Sequence, residues 1–342
     1  MKYEWTAAGF IPAALTQSED PGLNYFDVTI AGELNLDLIL YGLPEQLEPE
    51  RELLASDLNI TLGSSSAIVA HNLARLGNRV GFISKIGDDE FGEAALDRLR
   101  AAGADVSKVF KVTDEPNTKT GLTVILHHPA WRNILTFPGT IFDLRLQDLD
   151  LEYLSSSRHF HLSSFYLQKS LCPDIPRLLQ RLRNNGVTIS LDCNDDPDDR
   201  WDGIIMEALR YVDVFLPNAR EAMKVARMDD LAAAMERLSQ IVPVLVVKLG
   251  AEGARARRGK EDLFSPGIEV NVVDTVGAGD SFDAGFIHEF IRGCDLKTCL
   301  RAGNLAGALS TTRPGGIEAF RDSKHRQSFY KKMLRSNRRK IS

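Results

Sequence analysis

Cysteine is scarce in this chain: Cys172, Cys193, Cys294 and Cys299 are four in 342 residues. No pair forms C-x-x-C and none joins histidines at zinc-ligand spacing, which excludes a zinc module and a disulfide framework. Reduced thiols fit a cytoplasmic protein. Long apolar runs are missing too, and nothing approaches the ~18–20 residues that cross a bilayer. The apolar stretch Ala7–Leu15 is short and broken by Gly9 and Pro12, so residues 1–25 read as an extension rather than a signal peptide. No G-x-G-x-x-G follows the first apolar strand, where the chain reads Gly32-Glu33-Leu34-Asn35, and no Gly-Lys-Ser/Thr marks a Walker loop. A dinucleotide oxidoreductase and a P-loop enzyme are thereby disfavoured. An excess of positive charge is also absent. The 41 Lys and Arg face 47 Asp and Glu, for a net charge of −6, which argues against a surface built for nucleic acid. The exception is local: Arg321–Ser342 carries nine Lys and Arg against one Asp, net +8, which leaves −14 for the rest. This basic tail, 321–342, reads as a solvated terminal helix beginning around His325–Leu334.

What is present is an alternation of short β-branched runs with segments of helical period. Phe26–Ala31 and Val80–Ile86 read as strands, and Ser66–Leu76 and Glu93–Ala102 as helices stopped by Gly77 and Gly103. The unit recurs as Ile175–Asn185 with Val187–Leu191, Ile204–Arg210 with Val212–Leu216, and Leu231–Gln240 with Val244–Leu249. Ser281–Arg292 and Leu300–Thr311 read as later helices. Such alternation implies a mostly parallel sheet with helices on both faces, an αβα sandwich. Ligands of such sheets bind beyond the carboxyl ends of the strands. Two stretches, 38–62 and 118–137, hold strand-like runs without helices and predict a small β lid over that end.

The strongest local signal is Asp274-Thr275-Val276-Gly277-Ala278-Gly279-Asp280, followed by an amphipathic segment. Small residues let backbone approach a ligand closely, and amides at a helix start form an anion site. A carboxylate there, Asp280, can take the proton of a hydroxyl that attacks a phosphoryl group. Asp192 follows a strand and lies on the ligand side. The other carboxylates of the run Asp192–Asp199 read as a polar loop, and the adjacent His127 and His128 point to opposite strand faces.

This segment resembles the second signature of the ribokinase-like (PfkB-type) carbohydrate kinases, and other segments agree in order. They are Gly63-Ser64-Ser65-Ser66-Ala67 with Asn72–Gly77, Ile83–Gly92 with its Gly-Asp-Asp turn, Pro217-Asn218-Ala219-Arg220-Glu221, and Val247-Lys248-Leu249-Gly250-Ala251-Glu252-Gly253. The resemblance spans about 26–320 and implies a ribokinase-like fold that transfers phosphate from ATP to a hydroxymethyl group of a sugar. It implies Asp280 as general base, with the amides of Gly277, Ala278 and Gly279 as the anion hole. Asn218 and Glu221 would organise Mg2+ through water. Lys248, Gly250, Gly253 and Asn304 would line the nucleotide, and Asp274 with the carbonyl of Val276 would hold K+ or another monovalent cation. Asn35, Asp37, Gly63 and Ser64 would bind the sugar, joined by Arg132 from the lid and by Ser163. Lid strands in this family pair between subunits, which implies a homodimer.

Three departures bear on the acceptor. Ser64 stands for a glycine, Ile68 for an asparagine, and Ser163 near the place of an acidic sugar ligand of ribokinase itself. Lost polar partners change which hydroxyls are tolerated. A nucleoside kinase using Trp131, Phe137 and Tyr166 against a base stays open as a reading, as does a non-catalytic regulator that binds nucleotide or sugar.

Overall fold

The computed structural model describes residues 25–341 apart from 114–117, 129–130 and 202, with side chains as far as Met333. The N-terminal extension therefore lies outside the described residues, Tyr25 excepted. The strands are β1 (Phe26–Ala31), β2 (Leu36–Tyr41), β3 (Asp57–Leu62), β4 (Val80–Gly87), β5 (Asp105–Val112), β6 (Leu122–His128), β7 (Trp131–Phe137), β8 (Ser157–Leu162), β9 (Thr188–Leu191), β10 (Val214–Phe215), β11 (Val244–Lys248), β12 (Gly253–Arg258) and β13 (Glu261–Pro266). The helices are α1 (Ser65–Arg75), α2 (Glu90–Ala102), α3 (Leu151–Ser155), α4 (Ile175–Asn184), α5 (Ile204–Ala208), α6 (Ala219–Ala226), α7 (Leu231–Ser239), α8 (Ala278–Phe290), α9 (Leu296–Ser310), α10 (Glu318–Arg321) and α11 (Ser323–Ile341).

The main sheet runs β13-β12-β11-β10-β9-β8-β1-β4-β5. It is parallel from β5 to β11, and β12 and β13 close one edge as an antiparallel hairpin. Successive strand residues face opposite sides, so each central strand feeds two cores. Phe215 and Leu245 join Leu178, Ile205, Val225 and Met235 of the helices α4 to α7. Their neighbours Val214 and Val246 join Phe282, Phe286 and Leu300 of α8 and α9. Burial on both faces explains the unbroken apolar runs of these strands.

The second sheet, β3-β2-β6-β7, forms the lid. Its strands begin earlier than the sequence indicates, because Leu36 and Asp37 already pair with Leu62 and Thr61. Its inner face packs Ile39 and Ile125 on Val276 of the main body. The basic tail is less detached than its charge suggests: Phe329 and Tyr330 of α11 are buried against Leu305, Leu309 and Phe320. Among the described residues, no helix is long and apolar enough to cross a membrane.

Candidate active site

The site lies where the parallel strands end and the lid begins. Gly277 is the N-cap of α8 with φ +70°. A Cβ there would stand 2.5 Å from the Cα of Gly316 and 3.3 Å from the tip of Ile68, so only glycine fits both the conformation and the space. The turn leaves amides free at the helix start. Of the three expected, those of Gly277 and Gly279 make no hydrogen bond among the described residues. That of Ala278 is turned to the carbonyl of Thr275 at 3.2 Å.

Asp280, in the first turn of α8, is buried. Burial, then the charge of Asp192, raises its carboxyl to about 6 against the pull of Lys248. Asp37, near the start of β2, is raised to about 7 by burial and then by Asp280 and Asp274. The lid thus brings two carboxylates 243 positions apart to one place. Gly63 lies against Asp37 and Asn35: a Cβ on it would fall 2.1 Å from Asp37 Oδ1 and 2.8 Å from Asn35 Nδ2. Asn35, Asp37 and Gly63 lie together, and the charge of Asp280, at the start of α8, reaches Asp37.

Several expected ligands do other work. Ser64 Oγ caps α1, accepting from the amide of Ala67 at 3.2 Å and donating to the carbonyl of Glu33. Its hydroxyl is therefore spent on the backbone. Ser163 is fully buried, and its Oγ lies 2.7 Å from Nε2 of His161 in a chain that continues through Ser190 to His159. Burial lowers both imidazoles to about 3, so both are neutral. Ser163 is thus engaged with the core, its side chain bonded to His161. Tyr166 packs edge-on to Phe165 and Trp201 in the same core.

The Lys248 ammonium lies 2.7 Å from Asp192 and 3.1 Å from Asp283, with the side chain 12% exposed. Burial opposes its charge, but Asp192 and Asp283 hold it well above the ordinary lysine value. It faces these carboxylates beneath Gly279. Asn304 donates to the carbonyls of Ser265 and Pro266 at 3.0 and 3.1 Å, which pins α9 to the end of β13. Gly253 packs its Cα face on that same turn, and Gly250 has φ +62° beside it.

Asn218 and Glu221 form a capping box on α6: Asn218 Oδ1 accepts from the Glu221 amide at 2.9 Å, and Glu221 Oε2 accepts from the Asn218 amide at 2.8 Å. Burial, then Asp192, raises Glu221 to about 7. The expected cation ligand Asp274 has both oxygens engaged by protein donors, namely the Val276 amide (3.0 Å), Tyr41 Oη (2.8 Å) and the Gly315 amide (2.9 Å). That makes it a brace of the turn. Arg132 Nη1 reaches Thr275 Oγ1 at 3.4 Å, so the lid guanidinium hangs over the anion turn.

The sequence reading passed over Glu33, Tyr41 and Asp283. Asp283 was readable, since it stands three positions after Asp280 and so on the same helix face. Glu33 and Tyr41 gave no signal, as their partners are remote in sequence.

A family model described as "pfkB family carbohydrate kinase" matches residues 26–323. The chain belongs to that family. It is an ATP-dependent carbohydrate kinase with the ribokinase-like fold. It is 30% identical over 271 residues to a 2-dehydro-3-deoxygluconokinase of Bacillus subtilis, across 76% of this chain and 83% of the relative. It is also 30% identical to an ATP-dependent ribose-1-phosphate kinase of Halopiger xanaduensis, across 85% and 94%. The structure of Arabidopsis thaliana ribokinase complexed with ribose and ATP superposes with a TM-score of 0.75 at 22% identity, covering 89% of this chain and 98% of that one.

Proposed function

We propose that this kinase transfers the γ-phosphoryl group of ATP to a hydroxymethyl group of a small acidic sugar, with Asp280 as general base. The observation that carries the reading is the buried Asp280 beside the free amides of Gly277 and Gly279, within electrostatic reach of Asp37 and its neighbours Asn35 and Gly63. Asp37 accepts hydrogen bonds from sugar hydroxyls, which relieves an otherwise costly buried carboxylate. Asp280 takes the proton of the attacking hydroxyl. The amides of Gly277 and Gly279 hold the charge that develops on the transferring group. The lid, seated on Val276, excludes water that would hydrolyse ATP.

Magnesium fits the donors present. Asp192 Oδ1 is buried without a hydrogen-bond partner, and Asp192 and Glu221 offer oxygens within 4.8 Å of each other, the hard ligands this ion takes. Asp192, Glu221 and Asn218 would hold it, and bound there it neutralises phosphate charge. The residues 26–320 form the catalytic domain in this reading.

Arg132 supports an acidic acceptor. Asp37, Asp274 and Asp280 would repel a sugar acid or sugar phosphate unless a cation met it, and Arg132 is a lid cation beside the turn that carries Asp274. The names of the two relatives, a sugar-acid kinase and a sugar-phosphate kinase, support the same class. The edge strand β7 is exposed along nearly its whole length, with Ile134, Leu135 and Phe137 open, which supports pairing of two lids in a homodimer.

The test is an ATP-consumption screen over neutral sugars, keto-deoxy sugar acids, sugar phosphates and nucleosides, with Asp280→Asn as control. A loss of about 10²–10⁴-fold in kcat is expected for the variant. Near-parental turnover by Asp280→Asn sinks the base assignment, and a preference for neutral sugars sinks the acidic acceptor.

A further inference from the structure

Glu33 is 3% exposed, and its carboxylate takes no part in the steps above. It stands between β1 and β2, two residues before Asn35 and four before Asp37. A buried carboxylate is costly unless it is hydrogen-bonded, and this one is bonded from two directions. At the start of α1, Ser66 Oγ donates to Oε2 at 2.8 Å and the Ser66 amide to Oε1 at 3.3 Å. From the loop after β8, Ser164 Oγ donates to Oε1 at 2.7 Å. The backbone repeats the tie: Ser64 Oγ donates to the Glu33 carbonyl, and the Gly63 amide to the Asn35 carbonyl at 3.0 Å.

Three segments, 32–37, 63–66 and 163–168, thus meet around one side chain. A Cβ on Gly32 would fall 2.1 Å from Ser66 Oγ and 3.4 Å from Gln168 Nε2, so the glycine is what lets Ser66 reach Glu33. Ser64 and Ser164 have φ of +68° and +53°. Positive φ is uncommon outside glycine and persists where surrounding bonds over-determine it. Both serines are bonded to Glu33, one to its carbonyl and one to its carboxylate. The turn at Ser164 sends its hydroxyl to Glu33, although that of its neighbour Ser163 goes to His161.

We infer that Glu33 is a positioning residue for the sugar site: its carboxylate clasps the 63–66 turn and the loop after β8 to the β1–β2 loop, and so fixes how Gly63 stands against Asn35 and Asp37. The inference rests on those three residues binding the acceptor, as proposed above. Glu33 touches no reacting atom and acts through Ser66, Ser164 and the turn that carries Gly63. A shifted Gly63 changes which hydroxyls Asp37 and Asn35 can reach, so the loss falls on the acceptor and not on the nucleotide.

The experiment compares the parent with Glu33→Met, Glu33→Gln and Ser164→Ala. Leu209→Ala, buried in the core of α4 to α7, is the destabilised control. D-gluconate, D-glucose 1-phosphate and D-ribose are the acceptor probes, and KM is measured separately for acceptor and ATP. Glu33→Met keeps the length and removes the carboxylate, so acceptor KM rises about tenfold or more while that of ATP stays within about twofold. Glu33→Gln restores the acceptor KM: its oxygen keeps Ser164 and the Ser66 amide, and its NH₂ donates to a Ser66 hydroxyl that turns round. Ser164→Ala removes one bond and gives a smaller rise, about two- to fivefold. Leu209→Ala lowers Tm and moves neither KM. Amide hydrogen exchange is the second readout, and Glu33→Met should lose protection in 63–70 and 160–168 together. Equal rises in both KM values for Glu33→Met, or a matching acceptor rise in Leu209→Ala, overturn the assignment. So does parental protection of both segments in Glu33→Met. A parent that phosphorylates none of the probes overturns the proposed acceptor class instead, and the exchange pattern still decides whether Glu33 holds the three segments together.

Discussion

The phenolic hydroxyl of Tyr41 donates to Asp274 across 2.8 Å, and so ties a lid strand to the turn that opens α8. The second oxygen of the same carboxylate accepts from the Val276 amide. Lid closure and the shape of the anion turn are therefore set by one group. Tyr41→Phe leaves Asp274 with two donors and frees the lid. A bond to a charged group is worth about 1.5–3 kcal/mol, so kcat/KM for the sugar should fall about 10- to 100-fold. Steady-state kinetics alongside thermal unfolding checks this, and parental kcat/KM would show that the tie is idle.

The pH dependence of stability follows from three raised carboxyls. Asp37 and Glu221 reach about 7 and Asp280 about 6, all above the unfolded values near 4. Between these limits these three groups hold more protons in the native chain than in the unfolded one, so their contribution to stability falls as pH rises from about 4 to about 7. The buried neutral imidazoles of His71, His159, His161 and His288, lowered to about 3 or 4, act the other way as pH falls below about 6.5. The carboxyl contribution is therefore read by comparison: relative to the ligand-free parent, Asp37→Asn should lose more stability at pH 5 than at pH 8, while weakening sugar binding. An equal Tm difference between the two proteins at both pH values would contradict a raised Asp37.

Lys248 bridges two buried carboxylates. Lys248→Met leaves Asp192 and Asp283 facing each other unneutralised, and breaking such a pair costs about 3–5 kcal/mol. The double variant Lys248→Met with Asp283→Leu should recover much of that loss. Denaturant unfolding of the two proteins measures it. A single variant as stable as the parent would mean that the cluster carries little charge.

Ser163→Ala should separate structure from catalysis. Nε2 of His161 loses its partner in the core, at a cost of about 1–3 kcal/mol. KM for the sugar should stay within about twofold, because no hydroxyl of Ser163 faces the pocket. A large rise in KM with unchanged stability would return Ser163 to the list of sugar ligands.

Much of this molecule is legible in its sequence, for reasons that also mark where legibility stops. Helix ends announce themselves: Gly103 and Gly186 adopt positive φ where the periodic pattern breaks. The central strands announce themselves by burial on both faces. The edge strands β5 and β13, and β12 beside the latter, do not, because Lys108, Lys111 and the arginines of Gly253–Arg258 look like loop polarity until a neighbour strand pairs with them. At the site, local motifs place Asp280 and Gly277 on a helix start. They do not reveal that Ser163 and Ser164 diverge, because that depends on one backbone dihedral. Nor do they reveal Lys248 among carboxylates, since Asp192 is 56 and Asp283 is 35 positions away from it.

The contact of Ile68 with Gly277 and Gly316 carries a consequence for how this enzyme can change. Ile68, which the resemblance places beside the acceptor, is also packed on Gly277 and Gly316 of the anion turn. On the proposed reading, substrate choice and phosphoryl handling share one point of wear. A mutation at Ile68 that admits a new sugar also loosens the turn, so a lineage, or an engineer, changing preference here must first travel through a slower enzyme. Preference is more freely altered at Arg132, whose side chain is exposed and, among the described residues, hydrogen-bonds only Thr275.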